Sequence, residues 1–182
     1  MAALVQPHRL EARVLPAAPR TLGDPAAVRE AIALEVSRFM VGEIDRDGLV
    51  RATHRLIEEG VESPALLALG LANENMEPDM AAPVARLMAE IGLGGWDSSQ
   101  AGQLLALHAA ASILGDVSQP IDGARRIASV SSNAQFRDLV ARWEADPERR
   151  DALDAEIRRA AADLFGPLVA PQTTTRALGA AD

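Results

Sequence analysis

Glu43, Asp45 and Asp47 stand at alternate positions just before Gly48, Leu49 and Val50, the order in which a calcium-binding EF-hand loop presents its oxygen ligands. With Gly48 at the invariant glycine position, Val50 falls at the apolar one. The bidentate Glu that must close such a loop is replaced by His54. The equivalent stretch Ser118-Gln119-Pro120-Ile121-Asp122-Gly123 offers fewer ligands still. The carboxylates are therefore read as caps of a helix rather than a calcium site.

The three histidines, His8, His54 and His108, are the other natural ligands. His54 and Glu58 share a helical face at i,i+4, but two ligands fall short of a catalytic zinc site. Glu-x-x-His pairs of the kind that build di-iron bundles are missing. His54 is expected on a solvated or boundary face and His108 at the edge of the core in an alanine-rich helix. Without cysteine there is no thiolate nucleophile, thiolate metal site or disulfide. No nucleophile elbow, phosphate-binding glycine loop or dinucleotide fingerprint is present. Gly92-Leu93-Gly94-Gly95 follows a helix instead of a strand and reads as a hinge. The sequence thus designates no catalytic residue, no metal ligand set and no cofactor.

Glu74, Glu77 and Asp79 form an acidic cluster at a predicted helix junction. Paired carboxylates perform acid/base chemistry when burial separates their pKa values; a solvated loop and an anion-complemented helix start is the simpler reading. The same cluster, with Trp96, is the candidate partner-binding surface. Trp96 lies in the glycine-rich linker and is either an interface anchor or a lid folded back on the core. Arg125-Arg126, Arg149-Arg150 and Arg158-Arg159 could hold a phosphate or an acidic partner. The interleaved Glu148, Asp151, Asp154 and Glu156 favour a salt-bridged surface.

Positioning these residues falls to helices. The 182-residue chain is 48% apolar but only 3% aromatic, so its core must be built from Leu, Ile, Val, Met and Ala, which suits closely packed helices. No stretch shows the β-branched alternation of a strand. Asp24-Pro25, Asp45 or Asp47, Ser63-Pro64, Pro78, Ser98 or Ser99, Pro120, Asn133 and Asp146-Pro147 mark eight helix starts. The resulting expectation is an all-α, bundle-like domain. An extended arm covers residues 1–23, a first helical unit 24–92, a linker 93–98, a second unit 99–166 and a loose tail 167–182.

The two units read as an internal duplication. Gly42-Glu43-Ile44 and Gly115-Asp116-Val117 end similar apolar runs at an offset of 73 residues, and Glu74 and Glu144 close the third matching pieces at an offset of 70. Leu49, Ala52 and Leu56 in the first unit answer Ile121, Ala124 and Ile127 in the second.

Every basic side chain is arginine, and tyrosine is absent, as expected of a GC-rich bacterial genome. A formal charge of −8 argues against nucleic acid and anionic membranes as partners. No run reaches the roughly 18 apolar residues of a membrane span, and the start lacks the pattern of a secretory signal, so a cytoplasmic protein is expected. Absent chemistry and an acidic surface together suggest a non-enzymatic module that binds another protein: an adaptor, an immunity-type inhibitor or an accessory subunit. The alternative is a small-ligand-binding or enzymatic bundle with an apolar pocket between its halves, rimmed by His54, Glu58 or His108. Self-assembly through the repeated unit makes a second copy of the chain a further candidate partner.

Overall fold

The computed structural model describes residues 25–71 and 79–166. Eight α-helices make up the described residues: α1 (Pro25–Met40), α2 (Arg46–Glu58), α3 (Pro64–Gly70), α4 (Ala81–Glu90), α5 (Ser98–Leu114), α6 (Pro120–Val130), α7 (Ala134–Ala145) and α8 (Arg150–Asp163). The chain is all-α, and no strand occurs among the described residues.

Most starts follow the local chemistry of the sequence. The Asp45 side chain accepts from the Gly48 amide, Ser63 from Leu66, and Asn133 from Gln135 and Phe136; each satisfies amide hydrogens that have no intrahelical acceptor. Three starts differ from expectation. α4 begins at Ala81, three residues past Pro78. The cap of α5 is Asp97, not Ser98 or Ser99: its carboxylate accepts from Gln100 N while the Gln100 side chain accepts from the Asp97 amide, a reciprocal capping box closed to the two serines because Ala101 and Gly102 stand three residues after them. Asp146-Pro147 opens a 3₁₀ turn, Pro147–Arg149, and α8 begins only at Arg150. Pro83 falls in the first turn of α4, where its missing N–H costs nothing. Asp24 and Pro78 lie outside the described residues, as do the expected arm and tail.

Buried side chains gather in two clusters. The first holds Ile32, Val36, Leu49, Leu56, Leu66, Leu69, Leu87 and Met88 from α1 to α4, closed by Leu93. The second holds Ile113, Ile121, Ile127, Phe136, Leu139, Leu153 and Ile157 from α5 to α8. α8 returns to pack on α5, α6 and α7, whereas the first four helices pack chiefly in succession, and α1 lies against α5 to join the two sets. The small residues at α5–α6 set the closeness of that pair. A Cβ on Gly102 would strike the Val130 carbonyl, and one on Gly123 would strike Ile113.

The turns after α1 and α5 share their hydrogen bonds. Glu43 and Ile44 amides both reach the Arg38 carbonyl in one, Val117 and Ser118 amides the Ser112 carbonyl in the other. The left-handed residue is Gly42 (φ 79) in the first turn and Asp116 (φ 55) in the second. By structure the turns therefore align at an offset of 74, with Gly42 opposite Asp116 and not Gly115. The starts of α2 and α6 keep this offset; those of α3 and α7 differ by 70.

Candidate functional site

α3 is apolar all the way round. Its sequence, with the capping residue that follows, is Pro-Ala-Leu-Leu-Ala-Leu-Gly-Leu. Ala65, Leu66, Leu69 and Gly70 are buried against α2 and α4, and Pro64, Leu67, Ala68 and Leu71 face solvent. These four stand at i, i+3, i+4 and i+7, the spacing of a helix-contact seam. Leu67 is 46% exposed and Leu71 79%. A helix without a polar face ordinarily sits inside a protein, and among the described residues half of α3 lacks the covering its sequence calls for. The sequence carried this signal in full: seven apolar residues and a glycine with no polar side chain between them, where an amphipathic pattern would leave one face polar.

α3 is pinned in place by its neighbours. The His54 ring, on α2, donates from Nε2 to the Gly70 carbonyl at 2.7 Å, and Gly70 permits that approach because a Cβ there would lie 3.0 Å from His54 Cδ2. Glu90, at the end of α4, accepts from the Ala65 amide at 3.1 Å. His54 thus serves as a tether between α2 and α3 on an exposed face.

Of the sequence-derived partner-binding residues, Asp79 is exposed at the start of α4, where its Oδ1 accepts from the Ala81 amide at 2.9 Å. Glu74 and Glu77 lie outside the described residues. Trp96 is half-buried and packs against the first core, its Nε1 donating to the fully buried Ser37 hydroxyl at 3.3 Å. Of its two expected placements, the structure adopts the lid.

Two of the three carboxylates of the EF-hand-like stretch are engaged elsewhere. Asp45 caps α2, and Glu43 takes both prongs of the Arg126 guanidinium. Among the described residues no group of three His, Asp or Glu side chains is arranged to hold a metal ion. The arginine pairs are mostly paired with acids. Arg125 bonds Glu144, Arg149 approaches Glu156, and Arg158 bonds Asp116. Arg150 instead lies over the Trp143 ring, 4.1 Å from its centre, a cation–π contact. His108, half-buried on α5, has its pKa held below the usual 6.5, first by desolvation and then by the Arg126 charge, with Glu30 opposing.

One cleft of about 540 Å³ opens between the start of α5 and the α6–α7 junction, lined by Ser98, Ser99, Gln103, Ser131 and Asn133 among others. A second of about 480 Å³ lies between α7 and α8. Both belong to the second set of helices, and neither includes His54, Glu58 or His108 in its wall. No helix among the described residues is long and apolar enough to cross a membrane. The chain matches no protein-family model, no curated protein and no solved structure, so its functional reading rests on its own residues.

Proposed function

We propose that this chain is a non-enzymatic, cytoplasmic helical module that binds another protein, as an adaptor, an immunity-type inhibitor or an accessory subunit. The observation that carries the reading is the outward stripe of α3, Pro64, Leu67, Ala68 and Leu71, left in solvent on a helix with no polar face. Exposed leucines one turn apart form the apolar centre around which protein interfaces are built. Three polar residues singled out in the sequence are held by internal ties: His54 on Gly70, Glu43 on Arg126, Asp79 on its own helix start.

Affinity capture from the native cell extract, with the complex weighed by light scattering, tests the reading. A stoichiometric protein partner is the expected result. Recovery of the chain alone, at concentrations above those in the cell, overturns it. Charge reversal at Glu74 and Glu77 is expected to weaken the capture; reversal at Asp79 also removes the Ala81 cap and is the less clean variant.

A further inference from the structure

The surface around α3 has a charge as well as a shape. Between Arg55 and Arg86 the chain contains no basic residue, and the acids of that stretch among the described residues, Glu58, Glu59, Glu62 and Asp79, are all exposed. Arg55 itself is taken by Glu35 at 3.1 Å. Glu58 and Glu59 sit exposed at the end of α2, Glu62 is exposed just ahead of α3, and Glu90 bonds the backbone at the start of α3. At the far end of the stripe, Asp79 is exposed at the start of α4, which packs on α3.

We infer that the Leu67–Leu71 face of α3 docks a basic amphipathic helix of the partner protein; the inference rests on the protein-binding reading above. Three observations converge on this occupant. The exposed residues repeat at i, i+3, i+4 and i+7, so they present a short ridge that fits alongside another helix, whose own apolar stripe has the same period. The ridge is aliphatic, without side-chain hydroxyl or amide groups to orient a polar ligand. Its acidic flanks attract cations and repel acids, which sets the partner's polar residues as Arg or Lys and speeds encounter at low salt. The acids at this surface also disfavour a second copy of α3 on the same face, because like charges would meet across the two-fold contact.

The probe is a fluorescein-labelled synthetic helix with leucines at the matching spacing and arginines elsewhere, titrated into the full chain and followed by anisotropy. Two control peptides keep either the leucines with glutamates in place of arginines, or the arginines with serines in place of leucines. Binding of the first peptide alone is expected, weakened by about tenfold or more in Leu67→Ser/Leu71→Ser. Glu58→Gln/Glu59→Gln/Glu62→Gln should flatten the salt dependence. Equal affinity for the leucine double variant, or for the acidic peptide, overturns the inference. So do self-association that the double variant abolishes, which assigns the face to a second copy, and binding seen only after deletion of residues 1–24, which assigns it to this chain itself. Both leucines point to solvent, so an unchanged circular dichroism melt verifies that the variant folds. The same variant in the extract capture separates the two claims. If the partner is still retained, the α3 face fails and the protein-binding reading stands; if the parent chain retains nothing, the reading itself falls.

Discussion

The Arg126 guanidinium grips the Glu43 carboxylate with two hydrogen bonds, Nε to Oε1 at 3.2 Å and Nη2 to Oε2 at 2.9 Å, across 83 residues of chain. Arg38 stands 3.5 Å from the same carboxylate and 3.0 Å from Glu35, which also holds Arg55. A continuous run of alternating charge therefore passes from α2 through α1 to α6. The forked Arg126–Glu43 pair joins the first set of helices to the second with two parallel charge-assisted hydrogen bonds.

Removing the fork tests what it contributes. The Arg126 and Glu43 side chains are 38% and 23% exposed, so solvent screening limits the pair to about 0.5–1 kcal/mol. Arg126→Ala and Glu43→Gln should each destabilise by about that amount in urea titration. A double-mutant cycle should show the two losses failing to add, with a coupling that shrinks in high salt.

Trp96 and Ser37 form the second tie. Ser37 is fully buried on α1 and receives the indole N–H. Trp96→Phe keeps the ring packing but strands a buried hydroxyl, and should cost about 1–2 kcal/mol. Ser37→Ala removes the acceptor and leaves the half-exposed indole able to turn to water, so it should cost less. Denaturant titrations of the two variants decide the order; a larger loss for Ser37→Ala would mean that the hydrogen bond is incidental.

His108 gives stability a pH dependence of definite sign. Its folded pKa lies below the ordinary 6.5 because burial disfavours the imidazolium and Arg126 repels it, with Glu30 partly offsetting both. The unfolded chain then binds more protons than the fold in the window just below 6.5, and stability contributed by the neutral ring is lost as pH falls through that window. Above 6.5 the contribution is fully present. His108→Gln should flatten this limb of the stability profile, measured by urea midpoints from pH 7.5 down to about 5. A parallel profile in the variant would remove His108 as its source.

Local chemistry was the legible part of this chain. Ser63-Pro64, Asp45, Pro120 and Asn133 started helices where the sequence placed them, because a cap and its amides lie within one turn of each other. Asp97 was passed over for Ser98 because the capping box depends on its partner Gln100. The proline after Asp146 produced a 3₁₀ turn because no side chain there caps the amides. Long-range ties had no local signature: nothing near Glu43 announces Arg126, and nothing near Trp96 announces Ser37. The apolar outward face of α3 has a signature in the sequence, because residues 64–71 are seven apolar residues and a glycine with no polar side chain among them.

Asp116 is the described non-glycine residue with positive φ, at 55°, a conformation that costs an L-residue roughly 1–2 kcal/mol. Arg158 holds it there. Its Nη1 donates to the Ile113 carbonyl at 2.9 Å and lies 2.7 Å from Asp116 Oδ1, so one guanidinium satisfies the end of α5 and anchors the strained residue beyond it. Asp116→Gly in the parent chain relieves the strain but loses the ion pair and loosens the unfolded state, and the opposing terms should leave stability within about 0.5 kcal/mol. Once Arg158→Ala has removed the anchor, only the strain is left to relieve, and the same substitution should stabilise by about 0.5–1 kcal/mol. Thermal melts of the four proteins settle it: an equal effect of Asp116→Gly in both backgrounds would show that Arg158 does not hold the turn.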